Sequence, residues 1–123
     1  MAQRGIILFA HGSRDPLWRL PMEAVASQVR STDPQALVAC AYLELTEPDL
    51  GSAAQQLIDS GAQQLTVVPL FLGMGKHVRE DLPLLMDTLR QQHPGVAIAL
   101  QPAVGENPEL VALLARIALA PPQ

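Results

Sequence analysis

Apolar and polar positions follow two periods along the chain. Four short runs, 6–10, 37–43, 65–72 and 96–100, are apolar almost without interruption, as expected of strands buried on both faces of a parallel sheet. Four longer segments repeat apolar residues at helical spacing. The first carries Trp18, Met22, Val25, Ala26 and Val29, and the second Leu50, Ala53, Ala54, Leu57 and Ile58. The third carries Leu82, Leu85, Met86 and Leu89, and the fourth runs from Pro108 to Leu119. Pro21 belongs in a first turn, so the first helix should start near Leu20 and end at the 31–34 cluster of Ser, Thr, Asp and Pro. Thr46 is the expected cap of the second helix, with Pro48 and Asp49 in its first turn and Gly61 as its stop. The third is expected over about 78–92, closed by His93-Pro94-Gly95.

Strand and helix thus alternate four times, which specifies a doubly wound α/β fold: a four-stranded parallel sheet with helices on both faces. A flavodoxin-like strand order 2-1-3-4 is expected. Residues 1–120 read as a single domain and 121–123 as a tail.

Composition narrows the picture. Aromatics are 3% of a chain that is 49% hydrophobic, so the core must be aliphatic. A net charge of −4 argues against a nucleic-acid or anionic-membrane binder. One cysteine, Cys40, excludes an internal disulfide, and its apolar neighbours place it in the core of a reducing, cytoplasmic protein. No apolar stretch approaches the roughly 20 residues that span a bilayer, and the start of the chain lacks the apolar region of a signal peptide.

In a parallel sheet the carboxyl ends of all strands share one edge, where ligands of open α/β folds bind. The first run ends there in His11-Gly12-Ser13-Arg14, the second in Glu44, and the third in a Gly-Met-Gly loop leading to Lys76, His77 and Arg79. His11, Glu44 and His77 stand 33 residues apart in succession, so each has an equivalent place in its strand–helix unit. Two imidazoles and a carboxylate suit a first-row divalent metal, though His11 has an alternative role in satisfying backbone groups and Glu44 as a solvated carboxylate. Arg14, Arg19, Lys76 and Arg79 form a local cationic patch in an acidic protein. His93 reads as a helix terminator. Gly73-Met74-Gly75-Lys76 lacks the spacing of a phosphate loop, and Gly12-Ser13-Arg14 lacks the flanking glycines of a hydrolase nucleophile turn.

These segments together resemble a known family. His11-Gly12-Ser13-Arg14, Leu43-Glu44-Leu45-Thr46-Glu47-Pro48, Val68-Pro69-Leu70-Phe71-Leu72 and the stretch from Gly75 to Pro83 are similar, in order and spacing, to the class II sirohydrochlorin cobalto- and ferrochelatases. The resemblance covers nearly the whole chain. It implies a chelatase-like fold and insertion of Co²⁺, Fe²⁺ or Ni²⁺ as substrate into sirohydrochlorin, for cobalamin or siroheme synthesis, with no tightly bound cofactor. It also implies that His11 and His77 bind the metal and assist removal of pyrrole protons, with Glu44 at a position where the family often has an acidic group. Ser13, Arg14, Lys76 and Arg79 are then candidates for holding the ring's carboxylates. Many relatives carry two such domains and bind the ring between them, so a homodimer with C2 symmetry is expected here. A metal or tetrapyrrole carrier that performs no insertion would use the same histidines and stands as the alternative.

Overall fold

The computed structural model describes residues 3–122. Strands β1 (Arg4–Ala10), β2 (Leu37–Tyr42), β3 (Gln64–Pro69) and β4 (Ala97–Leu100) form one parallel sheet in the order β2-β1-β3-β4, the order the pattern predicts. Helices α1 (Leu20–Thr32), α2 (Leu50–Asp59), α3 (Lys76–Gln92) and α4 (Pro108–Leu119) follow the strands in turn, with a 3-10 turn at Val104–Glu106 before α4. The most continuously apolar strand, β1, lies between two others: it pairs with β2 from Gly5–Leu37 to Ala10–Tyr42 and with β3 from Arg4–Gln64 to Phe9–Pro69.

Successive side chains of a strand point to opposite faces, so the sheet divides its apolar residues in two. Ile7, Phe9, Ala41, Leu65, Val67 and Ile98 face α2 and α3, where they are buried with Leu50, Ala53, Leu57, Leu82, Met86 and Leu89. Each large side chain so buried contributes about 1.5–3 kcal/mol over its exposed state. The opposite face is thinner. Leu8 and Val38 bury Ala26 of α1, flanked by partly buried Ile6, Val29, Cys40 and Val68. The expectation of helices on both faces is met, but not by α4: none of its residues is buried, and its main contact is the 3-10 turn that precedes it.

Four local expectations are corrected. Asp49, not Thr46, caps α2: its Oδ1 accepts the Ser52 N–H at 2.8 Å, while Thr46 is held in a turn by its own N–H donating to Glu44 O at 2.9 Å. Helix α3 begins at Lys76, ahead of the expected 78, because extended backbone at Gly75 starts the helix as soon as the loop ends. The second and third strands stop at Tyr42 and Pro69, short of the apolar runs that contain them. Cys40 is half-buried rather than core, with Sγ lying 3.6 Å from the Met22 carbonyl at the margin of α1.

Candidate functional site

The carboxyl edge is built by hydrogen bonds that outlast the strands. The Leu43 N–H donates to Ala10 O at 2.9 Å and the Glu44 N–H to His11 O at 3.0 Å, so the segment after β2 stays zipped to the segment after β1. Gly12 makes this approach possible. Its φ is 103°, and a Cβ on it would overlap the Glu44 carbonyl. Only glycine tolerates both demands. After it the chain closes on itself: Ser13 Oγ accepts the Asp15 N–H at 3.1 Å, and Asp15 Oδ1 accepts the Leu17 N–H at 2.9 Å. Arg14 is exposed beyond that turn.

His11 is exposed, and its ring meets Phe71 at a centroid distance of 4.9 Å with the planes 64° apart. Phe71 is buried and packs edge-on against Phe9 at 6.1 Å, so the imidazole rests on an aromatic pair rooted in the core. Sequence reasoning missed Phe71. The available signal was that the chain has two phenylalanines, and that this one lies next to last in the apolar run 65–72, at the edge where His11 emerges.

Past Phe71 the chain crosses the edge through Leu72 to Gly75 and enters α3, with Lys76 and His77 in its exposed first turn. The free N–H groups of that turn and the helix dipole favour anionic groups there. Arg79 Nη1 donates to the Met74 carbonyl at 3.4 Å, which ties the loop to the helix it starts. The loop is also held from behind: the Gly105 N–H donates to Phe71 O at 3.0 Å, and a Cβ at Gly105 would overlap the Leu72 carbonyl. Gly73 and Gly75 have no neighbour within 4 Å of a built Cβ, so the side of the loop near His77 is open.

His11, Glu44, Ser13 and Arg14 therefore follow the first two strands at this edge, and Lys76, His77 and Arg79 open the helix that follows the third, with Phe71 against His11 at the start of the intervening loop. Among the described residues no three His, Cys, Asp or Glu side chains are gathered as a ready metal cage. The His11–Glu44–His77 set is thus aligned along one edge and not closed around a point. Of the expected cationic patch, Arg19 is engaged with Glu23 at 3.2 Å, whereas neither ion pair among the described residues uses Arg14, Lys76 or Arg79. His93 caps the end of α3, as the sequence indicated.

Behind the edge, Tyr42 is buried beside Trp18, 6.0 Å between ring centroids. Burial, reinforced by Cys40, pushes its phenol up to about 12, so it stays neutral. Burial likewise raises the Cys40 thiol, so it stays protonated at neutral pH.

Comparison with known proteins gives this edge a context. A crystal structure of a putative cobalamin biosynthesis CbiX protein from Marinobacter aquaeolei is 37% identical, with a TM-score of 0.80 over 94% of this chain and 93% of that one. SirB from Bacillus subtilis with Fe³⁺ shares the fold at a TM-score of 0.78 and 23% identity, and this chain covers 48% of it. The sirohydrochlorin cobaltochelatase of Methanopyrus kandleri is 33% identical over 66% of this chain and 57% of that protein. That of Sulfolobus acidocaldarius is 28% identical over 89% of this chain and 85% of its own. The chain thus spans little more than half the length of some curated relatives it matches. The CbiX family model matches residues 5–119, nearly the whole sheet and all four helices, and the chain belongs to the CbiX family.

Proposed function

We propose that this protein inserts a divalent metal ion, Co²⁺ or Fe²⁺ and by similar chemistry Ni²⁺, into sirohydrochlorin, in cobalamin or siroheme synthesis in the cytoplasm. The observation that carries this reading is that His11 follows β1 and rests on Phe71 while His77 lies in the first turn of α3, in a CbiX-family fold. Similarity to sirohydrochlorin cobaltochelatases and to a chloroplast sirohydrochlorin ferrochelatase of Arabidopsis thaliana supports the substrate class.

Metal insertion requires loss of two pyrrole protons, gained by a base as the nitrogens take up the ion. A neutral imidazole is a suitable acceptor, and it coordinates first-row metals in the same form. His11 is held by its contact with Phe71, so its ring presents an edge to the open side without having to be ordered at each turnover. The metal is a substrate that must be released into the ring. An edge with donors in line but no closed cage suits transient holding, with Glu44 beside His11 as a further oxygen donor. The carboxylates of sirohydrochlorin find Arg14, Lys76 and Arg79, none of them in an ion pair among the described residues, and the donors of Ser13 and the first turn of α3.

One such edge covers one side of a macrocycle. We propose that a C2 homodimer supplies the other side, as two edges facing across one cleft. The activity is tested optically: purified protein, sirohydrochlorin and Co²⁺ are mixed without oxygen, and metallation is followed against a protein-free control, then with Fe²⁺ and Ni²⁺. Acceleration supports the enzyme. A shifted spectrum of bound ring without acceleration would replace insertion by carriage.

A further inference from the structure

Leu45 is strained and exposed at once. Its φ is 68°, and among the described residues it is the only one other than glycine at positive φ. The Thr46 N–H donates across it to Glu44 O at 2.9 Å. A hydrogen bond closed over one residue at positive φ is the γ-turn of the rare, strained kind. A bulky side chain is an outlier there, and glycine or asparagine adopts the same backbone at lower cost. Burial does not repay the leucine either, since Leu45 is 52% exposed.

The loop is held to this shape from both ends. The Glu44 N–H donates to His11 O at 3.0 Å, and the Tyr42 N–H donates to Pro48 O at 2.9 Å. Strain of this sort persists where its surroundings enforce it, and it gathers at ligand sites. Leu45 and Glu44 line one open recess of about 360 Å³, together with Thr46 and Glu47. Leu72, which follows the Phe71 ring under His11, is 69% exposed. An exposed leucine thus follows each of the two residues that touch His11, Glu44 through its backbone and Phe71 through its ring.

We propose that Leu45 is a substrate-binding residue, whose strained turn presents its side chain to the apolar face of the sirohydrochlorin ring. This rests on the function proposed above and adds what holds the face of the ring, as distinct from its carboxylates. Leu45 is one residue, about 3.8 Å of chain, from the Glu44 N–H bonded to His11, so a macrocycle on which His11 acts lies within its reach. The segment 43–49 carries Glu44, Glu47 and Asp49 and no cation. It repels the carboxylates of the ring, which turn toward Arg14, Lys76 and Arg79, and offers the ring an apolar contact only. A leucine on a fixed mount also loses little backbone freedom when the ring arrives.

Binding is read without metal: sirohydrochlorin is titrated anaerobically and its absorbance followed, with Leu45→Gly, Leu45→Asn and Leu45→Met beside the unmodified protein. The first two variants suit the turn and remove the apolar group. Their melting temperatures should hold or rise, while Kd for the ring rises by about 10-fold or more, the scale of a leucine side chain left unburied. In turnover the loss should appear in KM for the ring more than in kcat. It should be equal at low and high salt, unlike the loss in Lys76→Ala, which salt reduces by screening. Leu45→Met retains an apolar group and should retain most of the affinity. If Leu45→Gly and Leu45→Asn bind the ring as tightly as the unmodified protein, the inference is overturned and the proposed function stands. Melting temperatures that fall together with affinity, or a Leu45→Met protein as weak as Leu45→Asn, would assign Leu45 a structural role and overturn it too. An unmodified protein that neither binds nor metallates the ring would overturn both.

Discussion

Replacing Gly12 by alanine tests whether the edge is organised as described. The φ of 103° lies where an L side chain is strained, a cost of about 1–3 kcal/mol. The new methyl would also meet the Glu44 carbonyl, a backbone atom with no rotamer to yield. Relief requires the two segments to part, with loss of the Glu44 N–H to His11 O bond, a further ~0.5–1.5 kcal/mol. A destabilisation of about 2–4 kcal/mol follows. With an unfolding entropy of about 2.1 cal/mol/K per residue, it lowers Tm by about 8–15 °C. Gly73→Ala is the internal control: it meets nothing within 4 Å and should change stability by no more than about 1 kcal/mol. Thermal unfolding by calorimetry gives both numbers, and the metallation rate reports whether Glu44 and His11 have separated. A Gly12→Ala protein melting within 2 °C or so of the original, roughly as stable as Gly73→Ala, would refute the reasoning.

Phe71→Ala should cost about 3–5 kcal/mol by denaturant unfolding, because it empties a buried site against Phe9. Its metallation rate, measured under conditions where the variant remains folded, should also fall, since the His11 ring loses its support. Asp49→Ala should cost ~0.5–2 kcal/mol, the value of a helix cap. The Ser52 N–H holds the Asp49 carboxyl below the usual aspartate range, so this stabilisation is present at neutral pH and is lost as pH falls through the lowered value. Stability curves of the two proteins should therefore converge in acid. Cys40, raised mainly by burial, should alkylate with iodoacetamide at pH ~8 more slowly than a free cysteine, whose ordinary value is about 8.5.

Strand order and element type were legible because each run and stripe was long enough to show its period, and because alternation of strand and helix leaves few topologies. The edge was legible for the same reason: His11 and Glu44 follow closely where strands stop, and His77 opens the helix after the third strand. What lay beyond the sequence depended on contacts between distant segments. Thr46 and Asp49 are both good caps by type, and the turn through Leu45 at a φ of 68° decides between them. Phe71 reads as one more apolar residue until the ring of His11 is found against it. The stripe of α4 reads as one more core-facing helix, yet none of its residues is buried, because a pattern along one segment does not say what its apolar face will meet.

Joint action of His11 and His77 on metal entering the ring is the core of the proposed function. Its most direct test is the anaerobic metallation of sirohydrochlorin by Co²⁺, with His11→Ala and His77→Ala beside the unmodified protein. Both histidines are exposed, so the variants should fold normally. The unmodified protein should accelerate metallation, and each variant should lose on the order of 10²-fold or more, the scale of a lost general base. Rates in both variants equal to that of the unmodified protein would contradict it.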